Sequence, residues 1–342
     1  MEAQAAPQTA DHLQESQMAT VPVIEVIDLH VSFPIYGQAS VTALNGVTIK
    51  INQGEVLGLV GESGSGKTIL ARAITGLIPP PGRVDRGRVL FQGRDIALMS
   101  EEELRRIRGK EIAMIIPNPR TELNPLMRVG RQIANLAKCH LDCQRKEADR
   151  LALEMLRQVQ IPDPMRRFQA YPHELSGGMA QRVVMANALV CSPKFVISDD
   201  ATSGLDVTVQ AQVLDLMRGL VRENNTSMLF ITRDIGITAH FCDRVAVIYA
   251  GEIVEEAEKY SFFENPKHPY TIMLLAAFSH NQRLRRQWTK EGRRFGRGER
   301  VYSCPFAPRC VRAQEKCLKS ERPALRETGP GHLVRCHFPV ER

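Results

Sequence analysis

Residues 61–68 read Gly-Glu-Ser-Gly-Ser-Gly-Lys-Thr, and no other stretch of the chain restricts its possible folds as strongly. Glycine at 61, 64 and 66 permits backbone conformations that aim several N–H groups at one point, as phosphate oxygens require. Lys67 adds a point charge for the outer phosphates, and the Thr68 hydroxyl suits a magnesium ion. Such a loop needs a buried strand before it and a helix after it, because the helix N-terminus presents further N–H groups to the anion. The flanks meet that demand: Val56–Val60 is a short β-rich run and Ile69–Leu77 reads as a helix. The expectation is an α/β unit that holds phosphate with Gly61, Ser63, Gly64, Ser65, Gly66, Lys67, Thr68 and Ile69.

Bulk properties narrow the class. A chain of 342 residues can bury one large core and carry a smaller second unit. With 43% hydrophobic and 24% charged residues it reads as an ordinary globular protein. No apolar run approaches the ~18–20 residues that a membrane-spanning helix needs. The first lysine is Lys50 and the first arginine Arg72, so no basic leader is expected and residues 1–20 read as a disordered tail. A cytosolic chain follows, with any membrane role supplied by a partner. The net charge of +7 is concentrated in residues 283–300, where eight Arg and Lys face two Glu. That stretch is open to two readings, a solvated linker or a contact with nucleic acid or anionic lipid. The rest of the chain is near neutral, so the overall charge argues little for a nucleic-acid partner.

Val23–Val31 and Val41–Ile51 are further strand candidates, with a turn signal at Asn52-Gln53-Gly54. Residues 101–107 and 130–158 are charged and amphipathic, hence helical. Residues 193–200 form an apolar run that ends in two carboxylates, the pattern of a buried parallel strand meeting a site at its C-terminal edge. Met228–Thr232 and Val245–Tyr249 read as two more strands. Beyond about residue 258 the chain becomes Pro-rich, then Arg-rich, then Cys-rich.

Three further segments carry a family resemblance. Leu175-Ser176-Gly177-Gly178-Met179-Ala180-Gln181-Arg182 resembles the signature motif of ATP-binding-cassette (ABC) ATPases. Phe195–Asp199 resembles their Walker B strand, and Ser203-Gly204-Leu205-Asp206 their D-loop. The likeness spans about residues 22–342. It implies a P-loop, RecA-like cassette with an antiparallel β subdomain, an α-helical signature subdomain near 118–190 and a small Cys-rich C-terminal extension. The implied boundaries are a tail at 1–20, a nucleotide-binding domain at 21–258 and the extension at 259–342. Val60–Lys67, Leu123-Asn124-Pro125, Tyr171–Leu175 and Asn265–Thr271 look like the ATP-binding subunits of oligopeptide, dipeptide and nickel importers.

The resemblance implies ATP and Mg²⁺ as ligands, with Lys67, Thr68 and Asp199 at the phosphates and metal. Phe33 falls where the family stacks an aromatic on adenine, although an ordinary strand aromatic fits the sequence nearly as well. In this family, cassettes pair head to tail and each ATP lies between one subunit's loop and the other's signature. Ser176, Gly177 and Gly178 would therefore act on a partner's ATP. Implied partners are a second ATPase subunit, two transmembrane permeases and an extracytoplasmic solute-binding protein, with no nucleic acid. The implied location is the cytoplasmic face of the inner membrane.

Three positions depart from that family. Ile116-Pro117-Asn118-Pro119 stands where Phe-Gln-Asp-Pro is usual, and proline offers no polar side chain for water or Mg²⁺. Asp199-Asp200-Ala201 replaces Asp-Glu-Pro, so the general base is one methylene short of a reach that must close to about 3 Å. Thr232-Arg233-Asp234 replaces Thr-His-Asp, and arginine can grip a phosphate but stays charged. Together they predict an ATP-holding site with poor hydrolysis, and a heterodimer whose partner hydrolyses. A slow but active site and a soluble nucleotide-sensing regulator are the alternatives.

Eight cysteines divide into two sets. Cys139, Cys143, Cys191 and Cys242 are scattered and read as small packing residues. Cys304, Cys310, Cys317 and Cys336 cluster near the C-terminus with gaps of five, six and eighteen residues. The spacing lacks the close pairs of zinc ribbons; iron–sulfur, zinc and plain thiols stay open. Similarity to the tail of the importer subfamily implies a [4Fe–4S] cluster held by these four.

Overall fold

The computed structural model describes residues 21–278, 288, 303–319 and 321–341. The tail at 1–20 and, apart from Trp288, the basic stretch at 283–300 lie outside the described residues. The chain opens with β1 (Ile24–Phe33), β2 (Val41–Ile51) and β3 (Val56–Val60), then α1 (Lys67–Ile74). Next come β4 (Arg83–Phe91), β5 (Arg94–Asp95), α2 (Glu101–Ile107) and β6 (Ile112–Ile115). A helical stretch follows: α3 (Pro119–Glu122), α4 (Val129–Leu141), α5 (Arg145–Gln158), α6 (Pro164–Phe168) and α7 (Gly177–Leu189). Then β7 (Phe195–Asp199), α8 (Val207–Glu223), β8 (Ser227–Thr232), α9 (Ile235–Phe241), β9 (Arg244–Tyr249) and β10 (Glu252–Glu258) complete the central part. The extension holds α10 (Lys259–Glu264), α11 (Pro269–Phe278), β11 (Arg326–Glu327) and β12 (Leu333–Val334).

Two sheets result among the described residues. An antiparallel one has the order β2-β1-β4-β5, and a larger one runs β11-β12-β10-β9-β3-β8-β7-β6. The strands β9, β3, β8, β7 and β6 are parallel. Every residue of β3, β7 and β8 is buried, so these strands read as continuous apolar runs rather than alternating ones. Their side chains nevertheless alternate between two cores. Leu57, Leu59, Leu229 and Ile231 pack with α1 and the antiparallel sheet. Val56, Val60, Met228 and Phe230 pack on the opposite face with the α4–α7 helices and α8. Each such buried aliphatic or aromatic side chain contributes about 2 kcal/mol of transfer free energy. A polar substitution in β3 would therefore damage one core or the other depending on its parity.

The helical stretch expected at 130–158 is two helices. Asp142 ends α4 in the left-handed conformation, with φ 49°, and Gln144 starts α5 from an extended conformation. The helices pack through Val129, Ile133, Ala137, Ala148 and Ala152. Gly130 is required there, because a Cβ would lie 2.1 Å from the Phe168 ring. β10 was not anticipated, since Glu252, Glu255 and Glu256 make it look solvated. All three are buried, and partners far along the chain answer their charge. Arg244 pairs with Glu256, and Arg322 with Glu252. Glu255 accepts from the backbone N–H groups of Lys267 at 2.7 Å and His268 at 2.8 Å, and meets His332 at 2.7 Å.

Candidate functional site

Topology brings the expected residues together. The neighbouring strands β3, β8, β7 and β6 end on the same edge. The loop 61–68 follows β3, Arg233 follows β8, Asp199 and Asp200 close β7, and Pro117 lies just beyond β6. One groove is lined by Ala43, Ser63, Gly64, Gly66, Lys67, Thr68, Ile69, Pro117, Asp199, Asp200 and Arg233. Ala43, which no motif singles out, belongs to it through its close approach to Gly66. A Cβ on Gly66 would lie 2.8 Å from the Ala43 carbonyl oxygen, and one on Gly61 would lie 2.4 Å from that of Ile248. The loop therefore sits too close to neighbouring backbone for side chains at these two positions. Gly66 also adopts a φ of 109°, which only glycine tolerates readily.

Lys67 is the first residue of α1 and is 8% exposed. Its ammonium donates to the carbonyls of Gly61 at 2.7 Å and Glu62 at 2.8 Å. Burial pushes its pKa down, and the carboxylates of Asp199 and Asp200 oppose that. Ser65 lies beneath it, and no side chain caps α1. The first-turn N–H groups are thus left to an anion. Thr68 donates its hydroxyl to the Asp199 carboxylate at 2.8 Å. Burial raises the Asp199 pKa despite that bond, a cost that a divalent cation beside the two would remove. Charge, donors and space in the groove fit a magnesium-bound polyphosphate.

The opposite wall is different. Asp200 holds a left-handed φ of 48°. Its carboxylate accepts from Arg233 Nε at 3.0 Å, with a second guanidinium nitrogen also at 3.0 Å. Arg233 is 60% exposed and Asp200 25%, so the pair adds little stability. Its consequence is electrostatic: the Asp200 carboxylate faces a permanent cation. Pro117 lines the same groove and offers it no hydrogen-bonding side chain.

The remaining expected residues sit elsewhere. Ser176 caps α7, its hydroxyl accepting from the Met179 N–H at 3.3 Å, and it is exposed. Gly177 approaches Leu205 and Gly178 approaches Val209, which places the Ser-Gly-Gly turn beside the start of α8. None of the three lines the Lys67 groove. Phe33 ends β1 with its ring against Gly82, also outside the groove lining.

The cysteine expectation needs correction. Cys304, Cys310, Cys317 and Cys336 do converge on one small pocket with Phe306 and Phe338. Among the described residues, however, no group of three or more His, Cys, Asp or Glu is arranged to hold a metal ion. Burial pushes the Cys304, Cys310 and Cys336 thiols up to about 11. Desolvation of the thiolate form is the cause. Cys310 and Cys317 are part of the core together with Phe306, Ala307 and Ala313, and Cys304 packs against it.

Two residues that sequence reasoning passed over touch the phosphate loop. The Glu62 N–H donates to the Tyr270 hydroxyl at 3.1 Å, and Arg309 grips the Glu62 carboxylate through two bonds of 2.8 Å. The available signals were the His-Pro-Tyr-Thr segment and the arginine preceding Cys310, but neither indicates its target.

A family model described as "ABC transporter" matches residues 44–203, and one described as "Oligopeptide/dipeptide transporter, C-terminal region" matches residues 254–317. The chain is 49% identical over 256 residues to the oligopeptide transport ATP-binding protein OppD of Bacillus subtilis, covering 75% of this chain and 71% of that protein. It is 41% identical to the dipeptide transport ATP-binding protein DppD of Escherichia coli, covering 87% and 91%. Among solved structures, the dimeric structure of MJ0796, a bacterial ABC transporter cassette, superposes with a TM-score of 0.61 at 25% identity, over 69% of this chain and 98% of that one. The cassette cbiO1 from Clostridium perfringens, part of a cbiONQ transporter complex, gives 0.61 at 22% identity over 78% and 98%, a likeness of fold. Among the described residues, no helix is long and apolar enough to cross a membrane.

Proposed function

The chain belongs to the ATP-binding subunits of ABC transporters, in the oligopeptide and dipeptide branch, and on that premise we propose that it powers peptide uptake while hydrolysing little ATP at its own site. The contact that carries this reading is the Arg233–Asp200 ion pair across the groove from Lys67. Lys67, the loop N–H groups, Ser63, Ser65 and Ile69 would hold ATP, and Thr68 with Asp199 would hold Mg²⁺. The metal, when bound, supplies charge neutralisation at the phosphates. Asp200 would not draw a proton from water efficiently, being short and paired with a cation. Arg233 would hold the terminal phosphate without accepting a proton. Phe33 remains the proposed contact for adenine.

The Ser176-Gly177-Gly178 turn, with Ser176 exposed and both glycines half-buried, would then close on ATP held by another cassette. Its N-capped helix presents N–H groups to that anion. The proposed assembly is a heterodimer with a hydrolytic ATPase subunit, two permeases and an extracytoplasmic binding protein. This chain would sit peripherally on the cytoplasmic face, its domains dividing near residues 20 and 258. Changing Asp200→Glu together with Arg233→His tests the reading by single-turnover hydrolysis at this chain's own site. A gain in rate supports it, and an unchanged rate opposes it.

A further inference from the structure

We infer that Arg309 and Tyr270 of the C-terminal extension are positioning residues for the phosphate loop, so that the extension sets how well the chain holds Mg–ATP. The inference rests on Lys67 lying in the nucleotide site. Glu62 is the second residue of the loop, and the extension holds it twice. Its carboxylate takes both arms of the Arg309 guanidinium at 2.8 Å each, and its N–H donates to the buried Tyr270 hydroxyl at 3.1 Å. Its carbonyl, in turn, accepts from the Lys67 ammonium at 2.8 Å. One residue thus links the extension to the lysine that meets phosphate.

Folding stability is a poor explanation for this link. Arg309 is 44% exposed and Glu62 42%, and an ion pair so solvated adds little to the folded state. Its geometry is nevertheless well defined, as a forked two-point contact constrains direction as well as distance. The guanidinium also lies 5.8 Å from the Tyr249 ring centre and 5.9 Å from that of Phe306, so faces of the aromatic nest steer it. Tyr249, Tyr270 and Phe306 pack mutually, with ring centres 4.6–5.3 Å apart. The turn that carries Arg309 is fixed by the cysteine nest: the Ala307 N–H donates to the Cys304 carbonyl at 3.0 Å, and the Cys304 N–H to that of Cys317 at 3.2 Å. The clustered thiols thereby gain a role as the packing that holds Arg309 over the loop. Arg309 also keeps the Glu62 carboxyl below its ordinary range, so the contact is present throughout neutral pH.

The test is calorimetric Mg–ATP binding by the full chain. Arg309→Ala and Glu62→Gln should each weaken binding about tenfold, and combining them should add little, because both cut the same contact. Arg309→Lys should recover part of the loss. Tyr270→Phe, which keeps the ring and removes the hydroxyl, should weaken binding about threefold with an unchanged melting temperature. Lys67→Ala serves as the control. If it binds Mg–ATP as the parent does, the nucleotide-site reading fails and the inference with it. If Lys67→Ala abolishes binding while Arg309→Ala and Tyr270→Phe bind as the parent does, the nucleotide site stands and the tether is wrong.

Discussion

The two walls of the groove have been treated differently. On the loop wall, Lys67 is buried among carbonyls, glycines stand where a Cβ would strike backbone, and Thr68 touches Asp199. On the wall built from the ends of β6, β7 and β8, a proline faces the groove and Asp200 is paired with Arg233. Holding a polyphosphate depends on N–H groups and fixed charge, most of which belong to the first wall. Splitting it depends on a base free to take a proton, which belongs to the second. On the proposed reading one property can be lost and the other kept, because different side chains supply them.

The largest expected effect comes from breaking the loop wall. Lys67→Ala should weaken Mg–ATP binding by about a thousandfold, roughly 4 kcal/mol, measured by calorimetry. If affinity survived, binding would not lie at this wall at all. Repairing the other wall comes next. Asp200→Glu with Arg233→His should raise own-site turnover about a hundredfold, the usual contribution of a positioned base. No gain would count against these two residues as the cause of poor turnover.

A smaller effect concerns the scaffold behind the loop wall. His268 is fully buried and accepts from the Tyr270 N–H at Nδ1. Burial lowers its pKa to about 4 from an ordinary value of 6.5. A lowered histidine pKa means that the unfolded chain binds the proton first. The stability is complete above pH 6.5 and is lost as pH falls from there toward 4. Denaturant titrations should show about 2 kcal/mol less stability at pH 5 than at pH 7.5 from this group, and His268→Gln should flatten the profile. Smallest is Ser176→Ala, which removes the α7 cap and should cost about 1 kcal/mol. The same substitution should slow turnover by the assembled complex. Unchanged turnover would separate the signature turn from the partner's site.

Much of the loop wall was legible because its constraints are local. Strand, glycine loop and helix adjoin in sequence, and β3, β7, β8 and β9 announce themselves as short apolar runs. The three departures at Pro117, Asp200 and Arg233 were visible as residues. Their convergence follows only from the order β3-β8-β7-β6, and the pairing of Asp200 with Arg233 needs side-chain positions. β4 was missed because its first half is exposed and arginine-rich. β10 was missed because its buried glutamates find partners up to about eighty residues away. The cysteine spacing does bring the four thiols to one small pocket, but among the described residues no group of three or more ligating side chains is arranged there to hold a metal ion. Tyr270 stands only inside the Asn265–Thr271 segment and Arg309 in no motif at all, since a contact across more than two hundred residues leaves no periodic trace.

Whether this chain holds ATP that it scarcely hydrolyses is decided by following the nucleotide. The assembled transporter would be loaded with a labelled, photo-crosslinkable ATP, allowed to turn over with Mg²⁺, and analysed for the species attached to each ATPase subunit. The expected result is intact triphosphate on this chain and diphosphate on its partner. Diphosphate on this chain, appearing at the rate of the complex's turnover, would contradict it.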